Sequence, residues 1–235
     1  MKLWLIPLLF FSAYASVAQQ SSAALPAAGE QSASVRFGFD WPQGIPWQKY
    51  SIEVQADGKS HFDGIPNGGD THDTDPYQQD FSMSAANREK IFELSQKLNY
   101  FRGDVDSHLK HIAQTGKKTL EYRSPQVQGS TTYNWSQNAD VEELTKLFQA
   151  ISMTIDYGRK LAFQYRFDKL GIDDRLKELQ DLQASHGAEE IRVIAPMLHK
   201  IADDPNMMNI SRQTAKHILQ TMNGVGLAAQ NPAQQ

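Results

Sequence analysis

The chain has 235 residues, no cysteine and a formal charge of −4. The missing cysteines exclude disulfides, thiolate metal sites, redox dithiols and cysteine nucleophiles. Mild acidity without clustered Lys and Arg argues against nucleic acid as a partner, and the length suffices for one fair-sized core or two small ones, held by burial alone.

The first eighteen residues, MKLWLIPLLFFSAYASVA, have a basic Lys2, an apolar run from Leu3 to Phe11 broken by Pro7, and small residues at Ser16 and Ala18. This is the pattern of a secretory signal peptide, with cleavage expected between Ala18 and Gln19. The apolar run is too short for a bilayer span, which needs about 20 residues. No second stretch of spanning length follows, so no stable membrane span is expected after cleavage. Export without disulfides fits a bacterial periplasm or the medium better than an animal secretory route.

Residues 19–34, rich in Gln, Ser and Ala, read as a disordered linker, and residues 224–235 as a disordered tail. Between them lie an α+β domain over 35–166 and a helical extension over 167–223. Val35, Phe37 and Phe39 alternate with Arg36 and Gly38 as in a half-buried strand, and Tyr50, Ile52 and Val54 repeat the pattern. Asp57-Gly58 marks a tight hairpin turn. Residues 59–65 then form the return strand, with His61 and Asp63 on one face and Phe62 on the other. Residues 66–77 read as a loop.

Ser84 caps a helix over 84–101, striped by Ile91, Leu94, Leu98 and Phe101. A strand over 117–123 follows, with Leu120 and Tyr122 alternating outward and inward. It pairs with 131–136, where Tyr133 and Trp135 share a face. Asp140 and Glu143 resemble a capping box. The long helix behind them places Leu144, Phe148, Ile151, Ile155 and Ala162 on one side and is loosened at Gly158. A short helix starts at Ile172 and stops at His186-Gly187. Another covers 189–202 with a kink at Pro196, and a last one covers 210–222. The order predicts an α+β fold: an antiparallel sheet of ββ[β]-α-ββ-α order packed by helices, with an all-helical C-terminal extension.

The loop Gly68-Gly69-Asp70-Thr71-His72-Asp73-Thr74-Asp75 is the leading site candidate. Asp70, Asp73 and Asp75 offer hard oxygen ligands for calcium, although the spacing is not that of an EF-hand. A solvated acidic loop is the alternative reading. His61, Asp63 and His72 offer a transition-metal set if strand and loop converge. His108 and His111 share a helix face if their segment is helical, but their spacing and Leu109 depart from the zinc-peptidase motif. No nucleophile elbow, phosphate loop or dinucleotide fingerprint occurs. Aromatic residues cluster at Trp41, Trp47 and Tyr50, and again at Tyr100, Phe101, Tyr122, Tyr133 and Trp135. Core positions are expected for most, with one Trp exposed in the irregular 41–47 segment.

Four blocks, YSIEVQADG at 50–58, REKIFELSQKLNYF at 88–101, TGKKTLEY at 115–122 and the long helix around 147–155, together resemble a group of exported bacterial proteins of unknown function. The resemblance spans about 35–170, implies a recurring strand–helix scaffold, and lends no catalytic residue. The functional expectation is an exported, non-catalytic binding or scaffold protein of the bacterial envelope. Its partner would be a protein or a cell-envelope polymer, with a sheet edge able to accept a strand. The alternative is an exported hydrolase that assembles Asp63, Asp70, His72 and His108 only in the fold.

Overall fold

The structure, a computed structural model, describes residues 33–68 and 74–228, with side chains described as far as Met222. The expected signal peptide, most of the expected linker, and Asp70, His72 and Asp73 lie outside the described residues. Six strands, β1 (Ser34–Asp40), β2 (Trp47–Gln55), β3 (Lys59–Pro66), β4 (Tyr77–Ser82), β5 (Lys117–Arg123) and β6 (Gln128–Tyr133), form one antiparallel sheet in the order β4-β3-β2-β1-β5-β6. The described helices are α1 (Ala85–Lys97), α2 (Ala139–Phe167), α3 (Ile172–Ala184), α4 (Ala195–Asp203) and α5 (Asn209–Ala228). The expected α+β class, antiparallel sheet and helical extension are all present.

Period-two alternation decides which face of the sheet is covered. Val35, Phe37, Ile52, Val54, Phe62 and Leu120 are fully buried on one face, while their strand neighbours are partly or fully exposed. Each such side chain contributes about 1.5–3 kcal/mol through burial. Leu120 and Tyr122 lie two residues apart and therefore share the buried face with Lys118 instead of alternating across the strand. The ring of Phe37 stacks on Phe148 of α2 at 5.1 Å. The β2–β3 turn forms where Asp57-Gly58 predicts it: Gly58 adopts φ 90° and donates its N–H to Gln55 O at 2.8 Å, while Lys59 N–H bonds Asp57 Oδ1 at 2.9 Å.

Several boundaries differ from expectation. The linker ends earlier, because Ala33 is buried and Ser34 already pairs in β1. Strand β4 lies at the end of what reads as a loop; only Tyr77 and Phe81 punctuate its polar residues, which suits an edge strand. Strand β6 starts three residues before the expected one, so Trp135 falls beyond its end and is 37% exposed. Pro196 kinks nothing. A short 3-10 turn over Ile191–Ile194 precedes α4, and Pro196 sits in the first turn of that helix, where its missing N–H costs no bond. Helix α5 continues to Ala228, into the segment expected as tail.

Helix α2 runs unbroken for 29 residues, roughly 43 Å at 1.5 Å per residue. Its first half, from Val141 to Ile155, closes the sheet core. Its second half enters a separate core through Tyr157 and Leu161, with Leu176, Leu198 and Ile218 from the later helices. Ala162 is exposed and Leu161 takes the expected inward place. Gly158 does not loosen the helix. Instead it admits Ile194, whose Cγ2 occupies the space that a Cβ would need.

The two cores are joined by polar contacts. Glu190, with φ 57°, turns its carboxylate onto the start of α1, where it accepts from Ser84 N–H at 3.1 Å, Ser84 Oγ at 2.5 Å and Asn87 Nδ2 at 2.8 Å. A carboxylate is favoured there by the unpaired N–H groups and the helix dipole. Thr154 Oγ1 donates to Glu189 O at 2.6 Å, and Gln79 Nε2 donates to Val193 O at 3.1 Å.

One edge of the sheet is met at its two ends by the chain after α1. The segment after α1 runs beside β6: Arg102 Nε donates to Gln128 O at 3.2 Å, Asn134 N–H donates to Asp106 Oδ2 at 2.7 Å, and Ser107 N–H donates to Trp135 O at 2.8 Å. Gly129 makes this possible, since a Cβ there would collide with Tyr100 O.

Glu190→Ala should lower the unfolding free energy by about 1–3 kcal/mol, because it strips a buried carboxylate's bonds from a partly buried helix start; urea denaturation measures it, and an unchanged midpoint would contradict the role. Asp204 supplies a pH dependence. The N–H of Asn206, the hydroxyl of Tyr165 and the ammonium of Lys169 hold its carboxyl well below the usual carboxylate range. The folded value is depressed, so this contribution is present above the unfolded pKa of about 3.9 and is lost as pH falls toward the folded one. Asp204→Asn should therefore melt lower than the native chain at neutral pH, and the gap should close progressively below about pH 4.

Candidate functional site

The buried face of the sheet leaves its opposite face to solvent, and strand register arranges that face in rows across the strands. The middle row reads Gln78, Asp63, Ser51, Gly38, Thr119 and Thr132 from β4 to β6. On one side lies Asp80, His61, Glu53, Arg36, Glu121 and Ser130; on the other lies Ile65, Lys49, Asp40 and Lys117. Neighbouring rows are two residues apart along each strand, about 7 Å. From Asp63 to Thr132 the middle row is made of short side chains, with Gly38 between Ser51 and Thr119. On β2, β1 and β5 the flanking rows carry charged side chains of alternating sign.

This contrast in side-chain length makes a groove of about 500 Å³, lined by Arg36, Gly38, Asp40, Lys49, Ser51, Asp63, Lys117, Thr119 and Glu121 among others. Arg36 Nη2 donates to Ser51 Oγ at 3.2 Å, Gln78 Nε2 to Asp63 Oδ2 at 3.4 Å, and Thr119 and Thr132 hydroxyls meet at 3.3 Å. Lys49 and Asp40 lie 3.8 Å apart, and Arg123 and Glu121 2.7 Å apart. The first pair is exposed and the second half-exposed, where ion pairs contribute little. Opposite charges next to one another across strands also keep the face balanced in sign. A Cβ on Gly38 would meet only Thr119 Cβ, at 3.8 Å.

The expected site residues are scattered relative to this groove. Asp63 belongs to its middle row. His61 lies in a flanking row, where its Nδ1 donates to Asp80 Oδ1 at 2.6 Å. Asp75 is exposed after β3, while Asp70, Asp73 and His72 lie outside the described residues, as do Ala18 and Gln19. His108 and His111 do not share a helix face. They sit at φ 50° and 65° in an irregular segment. His108 Nε2 donates to Asp104 Oδ2 at 2.6 Å; that bond raises the imidazole pKa and lowers that of Asp104. Asp106 is held low by the N–H groups of His108 and Asn134. Asp63 and His108 thus engage different partners on different elements. No group of three His, Cys, Asp or Glu residues able to hold a metal occurs among the described residues.

The aromatic residues serve mainly as core. Trp47 is 1% exposed, and its Nε1 donates to Ser152 O of α2 at 3.1 Å. Trp41 in the same segment is half-buried. Tyr50 and Tyr133 are buried as expected, and burial pushes both phenols far above the usual tyrosine range. A smaller notch of about 250 Å³ lies between the β1–β2 connection and α2, lined by Ile45, Pro46, Trp47, Gln149 and Met153 among others.

The sequence reading missed Arg36, Lys49, Lys117, Glu121 and the central Gly38. The signal for them was the recurrence of opposite charges four residues apart, at Arg36 and Asp40, Lys49 and Glu53, and Lys117 and Glu121. Comparison with known proteins gives no matching family model and no similar curated protein. No helix among the described residues is long and apolar enough to cross a membrane.

Gly38→Gln should fold with stability within about 1 kcal/mol of the native chain, since the site is open and a side chain suits a strand better than glycine does. Thermal melting checks this, and a drop of more than about 3 kcal/mol would show that the groove floor is closed to side chains.

Proposed function

We propose that this is an exported, non-catalytic binding or scaffold protein of the bacterial envelope, and that it binds through the uncovered face of its sheet. The observation that carries this reading is the sidedness of the sheet. The described helices and aromatic core occupy one face, and the other presents a groove bordered by ordered, sign-alternating charges. Such a surface is suited to recognition, because paired rows of charge fix the register and orientation of whatever lies on them. Export enters from the signal-peptide pattern of residues 1–18, and the bacterial setting from the cysteine-free composition. The candidate partners remain a protein or an envelope polymer.

The test is retention. Native protein and the groove-filled Gly38→Gln variant are immobilised at equal density, and envelope fractions are passed over both. A component held by the native chain and lost at least tenfold by the variant is the expected result. Identical retention by both would overturn the assignment of binding to this face.

A further inference from the structure

We propose that the partner of the open sheet face is a second copy of this chain, docked face to face about a twofold axis. This deepens the reading above and rests on it, since it names the occupant of the same surface. On three central strands the two charged rows carry opposite signs four residues apart: Lys49 and Glu53 on β2, Asp40 and Arg36 on β1, Lys117 and Glu121 on β5. The uncharged centre of the middle row, Ser51, Gly38 and Thr119, lies midway between the members of each pair.

An axis laid along that middle row, between two facing copies, turns one charged row of each copy over the other charged row of its mate. An isologous contact of this kind makes every pairing twice. Lys49 then faces Glu53 of the second copy, Asp40 faces Arg36 of the second copy, and Lys117 faces Glu121 of the second copy. All three pairings are opposite in sign. Each also contains one charge with no ion pair in its own chain among the described residues: Glu53, Arg36 and Lys117. Gly38, Ser51 and Thr119 are short enough for the faces to approach at the axis. Aligned sheets pack about 10 Å apart and about 30° from parallel. At about 7 Å from the axis that rotation displaces facing residues by about 3.5 Å, within the span of Lys, Arg and Glu side chains. A strongly charged polymer has less to gain here, because the six central charges balance.

Asp63 runs against the pattern. It lies on the axis row and faces Asp63 of the second copy, a like-charge contact that weakens the pair. The four central strands over seven residues cover roughly 450 Å² per copy, at the small end for specific contacts, so the association is a weak, reversible one.

The experiment is sedimentation equilibrium of the full chain at several concentrations, in about 0.05 M and about 0.5 M salt. The native chain should gain mass toward a dimer with concentration in low salt and lose that gain in high salt. Lys49→Glu alone and Glu53→Lys alone should each weaken self-association at least tenfold. The double variant Lys49→Glu/Glu53→Lys should recover it, as should an equimolar mixture of the two single variants. Asp63→Asn should strengthen it several-fold. These side chains are at least partly exposed, and urea melts confirm that each variant folds. A native chain that stays monomeric at about 1 mM in low salt, or a Lys49→Glu variant that associates as well as the native chain, overturns the proposal. If the native chain is monomeric yet Gly38→Gln abolishes retention of an envelope component, the second-copy inference fails while the binding face stands. If neither measurement responds, both fail.

Discussion

The sheet has one apolar face to hide, and α2 hides it with only half its length. Strands of six to nine residues extend roughly 20–30 Å at 3.4 Å per residue, whereas α2 reaches roughly 43 Å. The overhang from Tyr157 onward still carries apolar side chains, and these need burial that the sheet cannot give. Helices α3, α4 and α5 supply it. The second core is therefore a consequence of the length of one helix, and its leucine and isoleucine stripes are the complement of that overhang.

A helix shared between two cores does not by itself fix the layers against each other. The turn through Glu190 does. Its backbone passes close to α2 at Thr154, and its carboxylate reaches α1 at Ser84 and Asn87. The adjoining Ile194 fills the gap above Gly158. Three elements far apart in sequence meet at this turn, each through a contact that tolerates little displacement.

Much of the architecture could be read from periodicity, because alternation and three-to-four spacing are local. Strands β1, β2, β3 and β5 and the cap at Ser84 follow from neighbouring residues, whereas α2 is capped by Asn138 and the Asp140 of the expected capping box lies inside its first turn. Strand β4 was hidden because an edge strand buries little, so Gln78 and Asp80 need no apolar alternation. The Pro196 kink was misplaced because a proline in the first turn of a helix looks, in sequence, like one in its middle. The groove was illegible for a different reason. Its rows join residues from six strands, and only the register reveals that Gly38 stands between Ser51 and Thr119. The histidine reading failed on backbone conformation, since positive φ at His108 and His111 leaves no sequence signature comparable to glycine.

The edge at β6 has a bearing on growth. A sheet with two bare edges can add copies at both ends and propagate without limit, as fibres do. Here Arg102 meets the start of the outermost strand, and Asp106 and Ser107 hold the chain just past its end. A copy pairing onto β6 would have to displace the Arg102–Gln128 contact at its start. The residue that permits this is Gly129, whose missing side chain lets the segment after α1 lie against the strand. The absence of one side chain thus places a local obstacle beside that edge strand.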